Sequence, residues 1–232
     1  MSLFASGSTS QNLGEQAYKT LRESIITLQF EPGQTIYESE IASAFNISRT
    51  PIRDAFQLLI AEGLIDVLPQ RTKKIAYISE AKVKESGFIR LSLESSAFRL
   101  VARNWDDTEK YMIAEKEIKR ILQAQSDAAE QQDYYQFLQL DESFHRSILQ
   151  LTGNETLLGV VYHMRGYLNR FRYLAMKELV MTKNLVDEHC ELFKGLKRQD
   201  EKEVIQLLEH HLCKFESEIP RLRKTYKDYF TE

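Results

Sequence analysis

Asp141 and His145 stand four residues apart in a stretch of helical periodicity, so the two side chains share one helix face. His189 and His211 flank a helix-turn signal at Asp200, eleven residues before it and eleven after. In an antiparallel hairpin of helices, equal distance from the turn means equal height. At about 1.5 Å per residue, both imidazoles lie roughly 16 Å from the turn. One carboxylate and three imidazoles from three helices can then converge. That donor set suits Zn, Mn, Ni or Fe and leaves positions open for water or another ligand. The competing reading is ordinary. A single histidine in a helix usually packs or faces solvent, and Asp-x-x-x-His often arises by chance. The level placement of the second pair is what a packing role does not require, and the residues alone leave both readings standing. His163 reads as structural, and His210 as exposed because it points about 100° away from His211. Cys190 and Cys213 read as buried neutral thiols.

A second set of side chains suits nucleic acid. Arg49 and Arg53 sit at i and i+4 beside Thr50, at the start of a helix that Ser48 can cap and Pro51 can open. An arginine there can pair bidentately with guanine O6 and N7. Arg71, Lys73 and Lys74 cluster between two short strand-like runs, Leu64 to Leu68 and Lys74 to Ile78. Cations on such a hairpin can follow phosphates.

These residues need elements to hold them. The spacing predicts a helix over Leu13 to Leu28, a short one over Glu38 to Phe45, and a third from Ser48 to about Glu62 ended by Gly63. Helix, short helix, tight turn, helix and β-hairpin is the outline of a winged helix-turn-helix. From Glu80 onward the pattern predicts about six helices, over 81–104, 107–129, 131–151, 155–177, 182–199 and 201–229. Asp106 or Asp107 can cap the second. Asp200 can cap the last, with Glu203 completing a capping box. The expected fold is mostly α, a winged helix followed by an all-helical antiparallel bundle. The expected organisation is a disordered tail over 1–11, a DNA-binding domain over 12–78, a linker over 79–84 and a helical domain over 85–229.

Composition agrees. Of 232 residues 43% are apolar, enough for a packed core, and four prolines with nine glycines are too few for an all-β chain. Thirty-one basic against 34 acidic residues leave a charge of −3, so any contact with nucleic acid needs a local patch. Two cysteines make no disulfide framework. The longest apolar stretch, Leu157 to Tyr162, is far below the roughly 20 residues that span a bilayer. The expected location is the cytoplasm, without a membrane partner.

Several runs carry a family resemblance. Pro32-Gly33-Gln34, Glu40-Ile41-Ala42, Ile47-Ser48-Arg49-Thr50-Pro51-Ile52-Arg53-Asp54-Ala55 and Glu62-Gly63-Leu64 closely resemble the GntR family of bacterial transcription regulators. Arg90-Leu91-Ser92-Leu93-Glu94, Asp141-Glu142-Ser143-Phe144-His145, Thr152-Gly153-Asn154, Glu188-His189 and His211-Leu212 resemble the FCD ligand-binding domain of the FadR-like subgroup. The resemblance implies DNA contacts at Arg49, Thr50 and Arg53. Many members have a basic residue where this chain has Ser39, and a wing-tip glycine where it reads Gln70-Arg71-Thr72. Arg71 and Lys73 are then the expected wing contacts. It further implies a divalent ion (Zn, Ni or Mn) held by Asp141, His145, His189 and His211. A small carboxylate effector would bind beside it, contacted by Arg90 and Asn154.

The leading expectation is a homodimeric regulator, a repressor, that binds double-stranded DNA at a palindromic operator under control of a small acid. Two others stand beside it: a repressor for which the ion itself is the signal, and a metal-dependent hydrolase. Against the last, only Glu142 to His145 forms a Glu-x-x-His motif; Val160, Val186, Leu207 and Leu208 precede the other histidines by three.

Overall fold

A computed structural model describes residues 10–69 and 72–231. The tail expected over residues 1–11 falls outside the described residues up to Ser10, where the first helix already begins. The chain divides into two compact units, one running to Glu80 and resuming at Tyr226, the other Ala81–Thr225.

The first unit contains α1 (Ser10–Ile26), β1 (Thr35–Ile36), α2 (Glu38–Phe45), α3 (Arg49–Ala61), β2 (Ile65–Val67), β3 (Lys73–Ile75), β4 (Ile78–Ser79) and β5 (Phe230–Thr231). Ala17, Leu21 and Ile25 form the buried stripe of α1, and they share a core with Ile52, Phe56 and Leu59 of α3. Asn46 takes a left-handed conformation (φ 56°), which turns α2 into α3. Ser48 occupies the cap position of α3, yet its hydroxyl makes no capping bond, contrary to expectation. The other end of α3 closes as expected. Gly63 has φ 68°, its N–H bonds Ile60 O, and Leu64 N–H reaches back to Leu59 O. This is a Schellman motif, and Leu59 and Leu64 are both fully buried at its seam.

The wing is antiparallel, with Ile65 opposite Ile75. A third strand, absent from the sequence reading, joins it: β1 pairs with β3, giving the order β1-β3-β2. Two residues are too few to display alternation. The chain's end also departs from expectation. The last helix stops at Thr225, a 3-10 turn covers Lys227–Tyr229, and β5 pairs in parallel with β4.

The second unit is α4 (Glu80–Asn104), α5 (Glu109–Glu130), α6 (Tyr134–Gln150), α7 (Glu155–Leu179), α8 (Thr182–Lys197), α9 (Glu201–Leu212) and α10 (Phe215–Thr225). Residues 80–84, expected as linker, are already helical, and Val83 is fully buried in that first part of α4. The expected sixth helix is two, because α9 stops at Cys213 and α10 starts at Phe215. Neither Asp106 nor Asp107 caps α5. Asp106 instead accepts the N–H (3.0 Å) and hydroxyl (2.5 Å) of Thr108, and the helix starts one residue later. Asp200 does cap α9, accepting Glu203 N–H at 2.9 Å. The reciprocal half of the capping box is missing, since the Glu203 carboxylate is 2.5 Å from Arg198. The bundle core is built from Phe98, Ile118, Ile121, Phe144, Ile148, Leu192, Leu196, Val204 and Leu208. Among the described residues, no helix is long and apolar enough to cross a membrane.

Candidate metal centre and nucleic-acid interface

Helix α6 carries Asp141 and His145 on its buried face; α8 brings His189 and α9 brings His211. All four are buried, and one donor atom from each lies within 4.8 Å of the others. The α8–α9 hairpin is level as its arithmetic requires: His189 Nε2 is 3.2 Å from His211 Nε2. His145 Nε2 is also 3.2 Å from His211 Nε2, and His189 Nε2 is 3.5 Å from Asp141 Oδ1.

The outer nitrogens decide what the inner ones can do. His145 Nδ1 faces Glu94 Oε2 at 2.6 Å, His189 Nδ1 faces Gln125 Oε1 at 2.8 Å, and His211 Nδ1 faces Glu188 Oε2 at 2.8 Å. The two carboxylates and the Gln125 amide oxygen all accept, so a neutral ring at each position carries its proton on Nδ1 and turns a lone pair inward on Nε2. Three lone pairs then converge beside Asp141 Oδ1, a buried oxygen without a hydrogen-bond partner. Such an arrangement is unfavourable until a cation or a hydrogen-bond donor lies among the acceptors, and the donor set suits a cation. The spacing also suits one. Donors about 2.0–2.1 Å from a shared ion lie about 3.0–3.4 Å apart for right-angled to tetrahedral coordination.

The electrostatics keep this donor set ready. Burial pushes His189 well below the usual histidine range and His211 down to about 4, so both are neutral at pH 7, the form that can hold a metal. Burial alone would raise the Asp141 carboxyl. Arg172, with the surrounding imidazoles and Arg90, overrides it and holds that carboxyl well below the usual carboxylate range. Arg172 donates directly to Asp141 Oδ2.

A cavity of about 70 Å³ opens beside the four residues, lined by Arg90, Arg172, Asp141 and His211 at one end. Leu168, Phe171, Met176, Leu185 and Phe215 form an apolar wall, and Lys214 and Glu218 complete it. Gly87 makes room for Phe215: a Cβ at this position would lie 2.6 Å from the ring.

In the first unit, Arg49, Thr50 and Arg53 are exposed on the opening turns of α3, while Pro51 and Ile52 between them are buried and fix the helix. Glu38 of α2 stands between helix and wing. Its carboxylate is 3.0 Å from Lys73 Nζ and 3.6 Å from Arg53 Nε. Burial would raise the Glu38 carboxyl, and these two cations override it and lower it. Leu68 N–H bonds Thr72 O at 2.8 Å across the wing tip. Arg71 lies outside the described residues.

Family comparison addresses both units. The model of bacterial regulatory proteins of the gntR family matches residues 13–75, and the FCD domain matches residues 85–213, more than half the chain. The chain belongs to the GntR family, with an FCD domain. It is a DNA-binding transcription regulator, and its family comprises regulators rather than enzymes. It is 28% identical over 222 residues to the HTH-type transcriptional repressor RspR of Escherichia coli K12, covering 96% of this chain and 95% of that one. It is 25% identical over 193 residues to the gluconate operon transcriptional repressor of Bacillus subtilis, covering 81% and 77%. Among solved structures, E. coli McbR/YncC superposes with a TM-score of 0.74 at 18% identity, covering 92% of this chain and 98% of that one, and thus shares the fold.

Within this GntR regulator the structure brings Asp141, His145, His189 and His211 together and sets Arg90 at the adjoining cavity. Asn154 is elsewhere. It is exposed and caps α7, its Oδ1 accepting Leu157 N–H at 3.0 Å. Expected as an effector contact, it is a helix cap whose local bond uses its acceptor. His163 is exposed rather than structural, because it lies on the outer face of α7. Cys190 and Cys213 are half-buried, with burial pushing both thiols up. Sequence reasoning missed Gln125, Arg172 and the roles of Glu94 and Glu188. Only the last two had a signal: Glu94 follows Arg90 by four, and Glu188 adjoins His189.

Proposed function

We propose that this regulator is a homodimeric repressor that reads a palindromic operator with Arg49, Thr50 and Arg53 of α3 and Lys73 and Arg71 of the wing. A small carboxylate, bound beside a divalent ion on Asp141, His145, His189 and His211, relieves repression. Zn, Ni and Mn all suit three imidazoles and a carboxylate. The observation that carries the reading is the inward convergence of three Nε2 atoms, each on a ring whose Nδ1 faces an acceptor, on an Asp141 Oδ1 that has no hydrogen bond.

When bound, the ion would supply positive charge and open positions for a carboxylate oxygen. The chain's own residues do the rest. Glu94, Gln125 and Glu188 hold each imidazole in the ligating tautomer. Arg90, fixed through its Nε to Glu94 at 2.6 Å, orients its remaining donors at the cavity end where a carboxylate would lie. An arginine and an apolar chamber beside the donors favour a bound acid as the signal over the ion alone. The repressor names of RspR and of the gluconate operon relative support the direction of control. A dimer is supported by α4, where Phe88 is 71% exposed and lines up with Ser92, Ser96 and Leu100 at four-residue intervals. Such a regulator works in the cytoplasm, on the chromosome.

The test is metal content by plasma mass spectrometry, wild type beside His189→Ala, followed by operator release at fixed metal. About one equivalent of ion in the wild type, lost in the variant, with release needing an added carboxylate such as acetate or lactate, is the expected result. Release by metal alone would favour the ion as signal. No ion after refilling with Zn, Ni or Mn would end the metal-anchored reading.

A further inference from the structure

The charged groups lining the cavity are accounted for, with one exception. Arg90 is held by Glu94, Arg172 by Asp141, and Lys214 by Glu188. Glu218 enters the same cavity from α10, and its carboxylate makes no hydrogen bond or ion pair with any described residue, although the residue is only 7% exposed. A buried acid without a donor is costly, and a fold retains one where a ligand supplies what is missing. Phe215 and Glu218 follow His211 by four and seven residues, the spacing of one helix face, and both line the chamber.

We propose that Glu218 is a specificity-determining residue for the effector, accepting a hydrogen bond from a hydroxyl or ammonium group at the end of the molecule opposite its carboxylate. This rests on the reading above, in which the carboxylate lies at the Asp141–Arg90 end. Glu218 stands two helical turns along from His211, and much of the remaining lining is apolar, through Phe171, Met176, Leu185 and Phe215. A second carboxylate has no place beside Glu218, and hydroxyls along the body would meet carbon. The cavity, about 70 Å³, suits a short body. The ligand class is therefore a short acid with a terminal donor, an ω-hydroxy or ω-amino acid, rather than a dicarboxylate or a polyhydroxylated sugar acid. Burial pushes the Glu218 carboxyl up, while Lys214, Arg172 and Arg221 pull it down.

The experiment uses the full chain loaded with Zn(II) and titrated calorimetrically with butyrate, 4-hydroxybutyrate and 4-aminobutyrate, and with the acids one carbon shorter and longer. In the wild type, the hydroxy or amino acid of the best length should bind at least tenfold tighter than its plain counterpart. Glu218→Leu should cut that ratio below twofold and leave plain-acid affinity within twofold. Glu218→Gln keeps the shape and an accepting oxygen, so it should retain a preference for hydroxy over plain acid and lose one for amino acid. A wild-type ratio near one at every length, or an unchanged ratio in Glu218→Leu, would overturn the inference. A merely structural Glu218 would change melting temperature without moving the ratio. Stripping the metal separates the two readings. Plain-acid binding that survives chelation, with the Glu218 ratio intact, sinks the metal anchor and leaves Glu218 standing; binding of no acid at all overturns both.

Discussion

Replacing Glu94 by glutamine tests whether tautomer control governs the metal centre. Glu94 is fully buried, and its two oxygens have separate duties: Oε2 faces His145 Nδ1 and Oε1 accepts from Arg90 Nε, both at 2.6 Å. Glutamine has the same shape but only one oxygen. The charged Arg90 donor makes a bond about twice as strong as a neutral one, so it takes that oxygen. The amide NH₂ then faces His145, whose Nδ1 must become an acceptor. The proton moves to Nε2, the nitrogen that faces His211. His145 is then no ligand until it changes tautomer against its partner. Loss of such an outer partner costs about 10–100-fold in metal affinity, or about 1.4–2.7 kcal/mol. A weakened hold on buried Arg90 removes a further ~1–3 kcal/mol from the metal-free fold. At about 2–4 °C per kcal/mol, melting falls by about 2–12 °C. The assay is competition for Zn(II) against a chromophoric chelator, alongside scanning calorimetry of the stripped protein. Unchanged zinc affinity within twofold, in a variant that melts normally, would refute the reasoning.

Three further outcomes are expected. Arg49→Ala should lower affinity for the specific operator by about 5–150-fold, the value of about 1–3 kcal/mol for one bidentate base contact, with no change in melting; fluorescence anisotropy on specific and scrambled duplexes checks it, and an equal loss on both would move Arg49 from base to phosphate. Glu38→Gln removes the carboxylate that engages Arg53 and Lys73. It should raise non-specific affinity and steepen the dependence of log affinity on log salt by about one per cation released to phosphate; an unchanged slope would mean neither side chain turns to DNA. Chelation should lower the wild-type melting temperature by about 5–10 °C relative to protein at a hundredfold excess of zinc over its dissociation constant, from a linkage of about 2.7 kcal/mol. His189→Ala should show no such difference in calorimetry.

The clustering of Asp141, His145, His189 and His211 was legible because it rests on two periodic facts, an i, i+4 pair and equal arm lengths about Asp200. The recognition helix was legible for a similar reason: Ser48, Pro51 and Gly63 punctuate it at both ends. What stayed hidden is tertiary. Gln125 and Arg172 lie on α5 and α7, with no spacing that ties them to the histidines, and only the packing of α5 and α7 with α6 and α8 brings them in. Glu188 adjoins one ligand yet serves another, crossing from α8 to His211 on α9. Asn154 was misassigned because an asparagine before a helix supports a cap and a contact equally well from sequence. The break at Cys213 has no proline or glycine to mark it; Pro220 lies inside α10 instead. β1 and β5, at two residues each, are shorter than any pattern that periodicity can detect.

The parallel pairing of Ile78 with Phe230 has a consequence for anyone dissecting the molecule. The last residues of the chain belong to the same unit as the recognition helix, with Phe230 buried and Tyr229 donating to Glu31 at 3.3 Å. A fragment cut after residue 80 would leave β4 without its partner. An autonomous DNA-reading half is better made as a graft, with residues 226–231 returned to the truncated piece through a short glycine-serine tether.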